Sequence, residues 1–419
     1  MSIVFKNAKG WLVDQCSHID DRFESGDENA SKRRSFSWCF NRRYFDTLKP
    51  YIKPISADGL RAEGEDDPLP STGCQKRKRK HTLLNQGEID AQEYHDKVRS
   101  VILEGIQPFL EMGRTCGYLT EAATEGPPPC AHEDRLAGLC DMAKALPLVD
   151  DDENAPVQVI GDDLGSLDHP DLFTRVTENP SGHAREVRLM GELYLLPPRC
   201  RFLLSDISKM QPLLQCGRKF DAIVLDPPWE NKSVKRSKRY GSLPSSQLRR
   251  IPISELSAPG CLVATWVTNR QRHRRCVREE LYPLWGVEPE AEWLWVKVTR
   301  SGEYVFPLDS PHKKPYEVLV LGRRVGEAGG TLSSSSQGSE PVLPNLKLLV
   351  SVPSTLHSHK PSLADVLGEF LRPDAECLEL FARGLQPGWT SWGNEVLKFQ
   401  HHSYFEREPP VSGPPSAAS

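Results

Sequence analysis

An apolar segment that stops at an acid and two prolines constrains the fold of this chain more than any other stretch. Residues 220–229 read FDAIVLDPPW, so a run of apolar, mostly β-favouring residues ends at Asp226, and the prolines prevent the strand from continuing. This pattern is typical of a buried strand in an open α/β sheet, where ligands bind outside the carboxyl ends of the strands. The predicted catalytic residues are therefore Asp226, Pro227, Pro228 and Trp229.

These residue types suit a site that activates the amino group of a nucleobase. Such a group is a poor nucleophile because its lone pair is delocalised into the ring, and its two N–H donors need two acceptors in fixed positions. Asp226 offers a carboxylate, and the Pro227 carbonyl offers a second acceptor without a competing N–H. Trp229 is predicted to stack on the base, a contact worth roughly 1–3 kcal/mol. The alternative is a strand that ends at a proline turn, with Trp229 covering the core.

Further stretches carry a resemblance to a known family. PPRCRFLLSDI precedes the strand, WVTNRQRH follows it, and SHKP, LELFAR and WGNE come later. Together with the motif at 226–229, they resemble the MT-A family of adenine N6-methyltransferases from about residue 191 to residue 402. The resemblance implies an α/β fold with a Rossmann-like class I methyltransferase sheet of permuted motif order, and the part of the chain before it is predicted to be a mixed α+β N-terminal region. It also implies S-adenosyl-L-methionine as the cofactor and no metal.

The resemblance places the cofactor site on later segments of the chain. In the permuted order the catalytic strand precedes the cofactor strand, so no glycine-rich loop is expected upstream. Lys360 is expected to meet the carboxylate of the cofactor, and polar groups in the LELFAR and WGNE segments are expected to meet its ribose and methionine. Arg201 departs from the family, which has an acidic residue there. The predicted cofactor-binding residues are Lys360, Glu379, Arg383, Asn394 and Glu395.

Two basic stretches follow the predicted catalytic strand. Between residues 231 and 254 there are seven Lys or Arg and no acid, which suits contacts with a phosphate backbone, although a solvated loop is the alternative. The helix predicted from residue 270 begins with several arginines, and a bound phosphate would remove their conflict with the helix dipole. The predicted nucleic-acid-binding residues are Lys232, Lys235, Arg236, Lys238, Arg239, Tyr240, Asn269, Arg270, Lys313 and Lys314.

The implied reaction is methylation of adenine N6 in a nucleic acid. The resemblance points to 2′-O-methyladenosine in U2 spliceosomal snRNA as the substrate, with adenine in DNA as a second one. The main alternative is a catalytically silent RNA-binding partner of another methyltransferase, but such proteins lose the acid or the cofactor residues, which are present here. Methylation of a protein amide or of a cytosine amino group is disfavoured by Trp229 and the basic stretches.

Composition narrows the class of protein. A chain of 419 residues can hold two or three domains, and its 38% hydrophobic content leaves length for solvated loops. The 11 cysteines include no CxxC pair and are expected to be reduced. With a net charge of −4, nucleic-acid binding must come from local patches. No apolar run is long enough for a membrane span or a signal peptide, so no membrane association is expected.

Localisation and oligomeric state are predicted only coarsely. The run KRKRK at 76–80 indicates a nuclear protein, with the cytosol as a further location and a mitochondrial pool left open. A solvated charge cluster is the alternative reading of this run. A monomer is expected.

The chain is predicted to divide into five parts. These are an N-terminal segment (1–60), an acidic and basic loop (61–89), a mostly helical domain (90–185), an MT-A-type methyltransferase domain (186–405) with a disordered insertion at about 323–341, and a disordered tail (406–419). Apolar residues at helical spacing predict helices over 90–117, interrupted near Pro108. These residues are Tyr94, Val98, Val101, Ile102, Ile106, Phe109, Leu110 and Met112.

Four further elements are predicted within the methyltransferase domain. Residues 244–257 are expected to form a helix, and residues 261–267 the strand beside the catalytic one. Residues 292–298 and 316–322 are expected to pair as antiparallel strands, and residues 376–384 contain the cofactor strand.

Overall fold

The computed structural model describes most of the chain, in several stretches. The described residues are 2–21, 23, 37–51, 86–122, 142–143, 157–160, 172–189, 191–206, 209–230, 243–310, 313–325 and 341–408. The basic run at 76–80, the insertion from 326 to 340 and the tail from 409 lie outside the described residues.

Most of the strands join one large mixed sheet. Twelve strands are hydrogen-bonded in the order β1-β2-β13-β11-β12-β10-β9-β14-β15-β8-β5-β4, while β6 pairs with β7 and β3 with β16. This sheet confirms the predicted α/β, Rossmann-like class. The strands are β1 (Ile3–Asn7), β2 (Gly10–Val13), β3 (Ser37–Phe40), β4 (Gln158–Val159), β5 (Thr177–Glu178), β6 (Arg185–Leu189), β7 (Glu192–Leu196), β8 (Arg201–Leu203), β9 (Phe220–Leu225), β10 (Ser257–Val267), β11 (Val287–Lys297), β12 (Tyr316–Arg324), β13 (Leu346–Ser351), β14 (Cys377–Leu380), β15 (Thr390–Trp392) and β16 (Phe405–Glu408).

Helices of one to five turns pack around the sheets. Among the described residues, no helix is both long and apolar enough to cross a lipid bilayer. A π-helical turn (Cys276–Leu281) joins the seventh and eighth helices. The helices are α1 (Gln15–Asp20), α2 (Gln86–Gly105), α3 (Gln107–Thr115), α4 (Gln211–Gln215), α5 (Ser245–Leu248), α6 (Ile253–Leu256), α7 (Gln271–Arg275), α8 (Tyr282–Leu284) and α9 (Ala364–Gly368).

The predicted catalytic strand lies inside the sheet. β9 is hydrogen-bonded on both sides to parallel strands, with Ala222 opposite Leu262 of β10 and Cys377 of β14. It is buried on both faces apart from Asp221, which explains why its sequence is nearly continuously apolar. Because parallel strands share one carboxyl edge, Asp226 lies at the same edge as the residues that follow β10 and β14. The prediction of a buried strand ending at Asp226 is confirmed.

The N-terminal segment is part of the large sheet. β2 pairs in parallel with β13, and the backbones approach so closely that a Cβ at Gly10 would lie 1.8 Å from the Leu348 carbonyl oxygen. β1 completes an antiparallel hairpin at the sheet edge. Strands before and after the predicted domain boundary at residue 186 therefore belong to one sheet, so the boundary does not divide that sheet.

Several predicted boundaries shift in the structure. The helix α2 begins at Gln86 rather than 90, and residues 323–324 belong to β12 rather than to the insertion. The tail was placed from residue 406, but residues 405–408 form β16, whose backbone pairs with β3. Each shift arises because pairing or packing with a distant segment extends an element beyond its local sequence pattern.

The predicted helices are confirmed in one region and wrong in another. Residues 90–117 form α2 and α3, and the break between them falls at Ile106, close to Pro108. Met112, placed on the apolar face, is 37% exposed. The single helix predicted over 244–257 is instead α5 and α6, because Pro252 lacks an N–H to continue the first helix. Ser257 already begins β10.

Strands β11 and β12 confirm the antiparallel pair predicted after α8. Their register places Trp293 opposite Leu319. On one face of the sheet, Trp11 and Trp293 pack with ring centroids 5.1 Å apart, so β2 is joined to β11 by side chains as well as by β13 between them.

Carboxylates on β11 and α2 pair with arginines at the start of α7. Glu292 of β11 accepts hydrogen bonds from Arg274 at 2.9 Å and Arg278 at 3.0 Å, and the Tyr94 hydroxyl of α2 donates to it at 2.9 Å. Arg275 pairs with Asp90 of α2. Arg274, Arg275 and Arg278 therefore already have carboxylate partners, but the three cations share only two carboxylates, so the expected phosphate contact stays a prediction.

Replacing Glu292 with glutamine is expected to loosen the contact between α2 and α7. The side chain is only 14% exposed, and the neutral amide would leave two arginines without their carboxylate. Losing charge-assisted hydrogen bonds of this kind costs about 1.5–3 kcal/mol. Urea unfolding would measure the loss, and amide hydrogen exchange should become faster in α2. Glu93→Gln, on an exposed position of the same helix, is the control. Unchanged exchange in α2 would contradict this role.

Candidate active site

Asp226 is held between two cations at the carboxyl end of β9. Its Oδ1 lies 3.3 Å from Lys360 Nζ, and its Oδ2 accepts a 2.6 Å hydrogen bond from Arg383 Nη1. Lys360 lies on the loop before α9 and Arg383 follows β14, so three distant segments meet at one carboxylate. The three side chains are all predicted site residues, and the structure brings them into direct contact.

The two cations extend into a longer row of alternating charges. Lys360 Nζ lies 3.1 Å from Glu317, which pairs with Lys297, and Arg383 Nε donates a 3.0 Å hydrogen bond to Glu395. Four cations stand against three carboxylates in this row, so it carries one surplus positive charge. In order, its members are Lys297, Glu317, Lys360, Asp226, Arg383, Glu395 and Lys398.

Neighbouring charges outweigh burial in this row. Burial alone would raise the pKa of Glu317, but the charges of Lys297 and Lys360 lower it to about 2. Burial would lower the pKa of Lys360, yet Asp226 and Glu317 raise it above its ordinary value. Glu317 and Lys360 are therefore both charged at neutral pH, which keeps the alternation intact.

An open cavity lies beside the row. Its empty space, including the part open to solvent, is about 620 Å³. Asp226, Lys360, Glu379 and Arg383 line it, so four predicted residues from the catalytic and cofactor motifs face one space.

Strained backbone occurs at two positions of the cavity wall. Ser358 and Phe381 have positive φ angles of 59° and 61°, and they are two of the four non-glycine residues with such angles in the described part of the chain. For a bulky residue such as Phe381 this conformation is costly, and strain of this kind concentrates at functional sites. At Phe381 it turns the chain directly after β14, between Glu379 and Arg383.

The N-terminal segment contributes a wall that sequence reasoning missed. Gln15, His18 and Ile19 of α1, with Phe40 of β3, line the same cavity. His18 is fixed there by Asp365, 3.1 Å from its Nδ1, among other contacts. Nothing in the local sequence signals this role, because it arises only when β2 pairs with β13 and places α1 at the carboxyl edge of the sheet.

Trp229 is a packed wall residue rather than an open stacking platform. It is 7% exposed, its indole N–H donates to the Trp266 carbonyl at 2.8 Å, and His273 stacks on its ring with centroids 4.8 Å apart. The prediction that Trp229 stacks on the base is therefore corrected, because its ring is already covered in the protein. Its position instead secures the turn that follows Asp226.

His273 is neutral in its position against Trp229. Burial, together with the charges of Arg272 and Arg270, lowers its pKa to about 4. Its Nε2 accepts from Arg272 Nε at 3.1 Å, so Nδ1 carries the proton and donates to the Thr268 hydroxyl at 2.6 Å. Arg272 also donates to the Glu230 carbonyl at 2.9 Å, which ties the start of α7 to the residue after Trp229.

This histidine predicts a loss of stability at mildly acidic pH. Between about pH 6.5 and pH 4 the unfolded chain protonates His273 but the folded chain does not, so stability falls as the pH falls through that window. His273→Phe keeps a ring against Trp229 and removes the titration. As the pH is lowered from 8 to 4, the melting temperature of the wild type should fall toward that of this variant. Parallel curves would contradict the prediction.

The two prolines shape the turn after Asp226. The Pro227 carbonyl accepts the Trp229 N–H at 2.8 Å, and the Pro228 carbonyl accepts the Leu243 N–H at 2.9 Å. A carbonyl oxygen has two lone pairs, so Pro227 keeps one for a further donor. The predicted use of this carbonyl as a second acceptor is compatible with the turn.

The remaining predicted cofactor residues take different positions. Glu379 lines the cavity. Glu395 does not line it, but accepts a hydrogen bond from Arg383, which does, and lies 3.6 Å from Lys398. Asn394 is half-buried beside Glu395 and is not among the residues that line the cavity. Arg201, the departure from the family, is held between strands, with Glu178 at 3.0 Å among its partners.

The predicted nucleic-acid residues fall into two groups. The six between 232 and 240 lie outside the described residues. Asn269 donates to the Tyr316 carbonyl at 2.7 Å, and Arg270 precedes α7 as its N-cap. Lys314 is half-buried, and burial lowers its pKa despite the opposing charge of Asp309.

Lys313 belongs to an exposed aromatic and cationic surface. Its Nζ lies 5.4 Å from the centre of the Phe306 ring, which contacts Tyr51 with centroids 5.2 Å apart. Tyr51 is 51% exposed. Rings beside a cation are the groups that stack on bases and contact phosphates in single-stranded nucleic acid.

The donor set around the cavity fits S-adenosylmethionine. The surplus cation of the row suits the methionine carboxylate, and Lys360, the lysine of the SHKP motif, lines the cavity. Glu379 provides a carboxylate of the kind that accepts hydrogen bonds from ribose hydroxyls. When bound, this cofactor supplies an electrophilic methyl group.

A sheet of this topology, with a carboxylate at the end of its central strand and a cofactor cavity beside it, defines a Rossmann-like methyltransferase. The profile of the MT-A70 family matches residues 220–395. The "N(6)-adenine-specific methyltransferase METTL4" of Homo sapiens is 51% identical over 88% of this chain and 80% of its own length. The chain therefore belongs to the MT-A70 family, and it is an S-adenosylmethionine-dependent adenine N6-methyltransferase.

Two more distant relatives carry names with different substrates. The "N6-methyladenosine RNA methyltransferase MTA1" of Pyricularia oryzae is 37% identical over 52% of this chain and 59% of its own length. The "DNA N6-methyl methyltransferase" of Caenorhabditis elegans is 34% identical over 52% of this chain and 57% of its own length. A nucleic-acid substrate follows for the family, and the predicted class of enzyme and cofactor are confirmed.

Proposed function

We propose that this enzyme methylates N6 of 2′-O-methyladenosine in U2 spliceosomal snRNA. The observation that carries the proposal is the carboxylate of Asp226, fixed by Lys360 and Arg383 at the mouth of the cofactor cavity. The choice of an RNA substrate rests on the motif resemblance and on the exposed surface of Tyr51, Phe306 and Lys313.

Asp226 acts as the oriented acceptor for the adenine amino group. Its two oxygens are positioned by cations, and each retains a lone pair that can accept an N–H from the base. The carbonyl of Pro227, the next residue along the chain, is the second acceptor. Together they hold the amino nitrogen with its lone pair directed at the methyl donor, which lowers the barrier mainly by orientation.

Lys360 has a second role in this arrangement. It bridges Asp226 and Glu317 while lining the cavity, so the same ammonium can meet the cofactor carboxylate without leaving the catalytic acid. This links occupancy of the cofactor site to the position of Asp226. The proton lost by the amino group after methyl transfer passes to the carboxylate or to solvent at the cavity mouth.

Adenine in DNA is the second candidate substrate, and the name of the Caenorhabditis elegans relative favours it. Both substrates present the same amino group to Asp226. They differ at the ribose, where a 2′-O-methyl group would have to be accommodated close to the base.

Methyl transfer to matched oligonucleotides tests the proposal. The assay uses labelled S-adenosylmethionine with RNA oligonucleotides bearing adenosine or 2′-O-methyladenosine at one position, and with a DNA oligonucleotide of the same sequence. We expect N6-methyl label on the 2′-O-methyladenosine RNA, and none with Asp226→Ala. Preferential labelling of the DNA would replace this proposal with the second candidate. Cofactor and RNA binding without transfer to any of them would indicate a silent partner.

We also propose that the enzyme is a nuclear monomer. The support for nuclear residence is the KRKRK run at 76–80, and fluorescence microscopy of a fusion in which these five residues are serine tests it. Unchanged nuclear signal in that fusion would contradict this role of the run. Sedimentation analysis of the purified protein would report the oligomeric state.

A further inference from the structure

Gln15 combines burial, a position on the cavity wall and an unused acceptor. It is the first residue of α1 and 4% exposed. It lines the cavity that contains Asp226 and Lys360. Its amide oxygen is screened from solvent and accepts no hydrogen bond from any residue in the described part of the chain. A buried amide oxygen without a donor is disfavoured, because it has lost its hydrogen bonds to water and gained none.

The neighbours of Gln15 on this wall already have partners. His18 contacts Asp365 and Gln386, and the Ser362 hydroxyl donates to Gln386 at 3.0 Å. The helix start that carries Gln15 is also fixed, because the Asp14 side chain caps α1 by accepting from the N–H groups of Cys16 and Ser17. The side chain is therefore presented by a rigid helix start while its acceptor remains open.

The position of Gln15 follows from the sheet. β2 is parallel to β13, and β13 is parallel to β11, so the end of β2 lies at the same edge as the end of β9. Gln15 stands two residues after β2, as Asp226 stands directly after β9. Both residues occupy the edge at which ligands bind in such sheets.

We propose that Gln15 is a cofactor-binding residue, whose amide oxygen accepts a hydrogen bond from the α-ammonium group of S-adenosylmethionine. An acceptor needs a donor, and the donors on this cofactor are the ammonium, the ribose hydroxyls and the adenine amino group. Lys360 provides the cation for the carboxylate, and the ammonium is attached to the same carbon atom as that carboxylate. Glu379, on β14, suits the ribose. The adenine amino group is at the opposite end of the cofactor from the carboxylate that Lys360 would hold, so the ammonium is the donor assigned to Gln15.

This assignment gives the N-terminal segment a direct part in cofactor binding. It deepens the proposed function and rests on the cavity being the cofactor site. The neutral side chain adds an acceptor for the ammonium without disturbing the pairing of Lys360 with its two carboxylates.

Calorimetric binding of two ligands to the full-length protein tests the proposal. S-adenosylmethionine has the amino-acid end, whereas 5′-methylthioadenosine lacks it and keeps the nucleoside. We expect Gln15→Leu to weaken S-adenosylmethionine binding about tenfold, equivalent to ~1.4 kcal/mol, and to leave 5′-methylthioadenosine binding unchanged. Gln15→Glu, which retains the acceptor, should bind S-adenosylmethionine at least as tightly as the wild type. Gln107→Leu, at an exposed position on α3, is the matched control.

Other results of the binding experiment would overturn the assignment. Equal weakening of both ligands by Gln15→Leu would place the residue at the nucleoside or in the fold alone, and unchanged binding of both would remove it from the site. Melting temperatures identify a variant that fails to fold, in which case Gln15→Glu decides through the ratio of its two affinities. If the wild type binds neither ligand, the cavity itself is misassigned. If it binds both but transfers no methyl group, the proposed function fails while the role of Gln15 stands.

Discussion

Replacing Asp226 with asparagine is expected to lower kcat/KM for methyl transfer by about 10³-fold. Asparagine has the same shape but carries no charge, and one of its two terminal atoms is a donor, so it offers the adenine amino group a single weaker acceptor. Positioned groups that handle protons at a reacting atom contribute about 10²–10⁴-fold. Radiometric transfer to the best RNA oligonucleotide, under saturating cofactor, measures the effect.

The same substitution should also destabilise the fold. Without the Asp226 carboxylate, Lys360 and Arg383 face each other across a neutral side chain, and both are largely buried. Removing one member of a buried ion pair costs about 3–5 kcal/mol. Urea unfolding measures this loss, and the activity assay is run where the variant is folded. Asp374→Asn, at an exposed position with positive φ that asparagine tolerates, is the control. A folded variant with activity within tenfold of the wild type would remove Asp226 from catalysis.

Replacing Lys360 with methionine is expected to weaken S-adenosylmethionine binding by about 100-fold. Methionine keeps the length of the side chain but removes the ammonium that faces the cavity and bridges Asp226 to Glu317. Loss of a charge-assisted contact to the cofactor carboxylate contributes about 1.5–3 kcal/mol. The repulsion between the two carboxylates that lose their shared cation adds to it. Calorimetry with S-adenosylmethionine alone measures the effect.

The pattern across variants separates charge from packing at Lys360. Lys360→Arg retains the cation and should recover most of the affinity, although its planar guanidinium cannot occupy the ammonium position. Lys97→Met, at an exposed position on α2, should bind as the wild type does. Equal affinities for Lys360→Met and the wild type would show that this lysine serves only the stability of the row.

The catalytic half of the site was largely predictable. The apolar run at 220–225 and the prolines after Asp226 determine locally where a buried strand stops, so the end of β9 was placed correctly. Lys360, Glu379 and Arg383 were identified through motifs, and each lines the cavity. Short apolar runs also identified β11 and β12, although β11 begins at Val287, five residues before its predicted start at 292.

Other features depended on partners that are remote in sequence. The arginines of α7 suggest a phosphate site because a helix start disfavours cations, yet Glu292 of β11 and Asp90 of α2 already pair with some of them. Trp229 is predicted to stack on the base, yet its ring already stacks on His273 and its indole N–H already donates to the Trp266 carbonyl. In each case the sequence indicates an unusual residue but not its partner. Spacing along the chain does not specify contacts between distant elements.

The sequence by itself determined the strand that ends in Asp226 and the motifs that follow it, because these depend on local chemistry and on short-range backbone geometry, and the family resemblance of those motifs indicated the class of reaction. Only the tertiary structure decided that α1 forms a wall of the cofactor cavity, that Gln15 presents an unused acceptor there, and that seven charges alternate through Asp226. These features require β2 to pair with β13, more than 330 residues later. A contact of that separation depends on backbone hydrogen bonds and side-chain packing that no local pattern encodes.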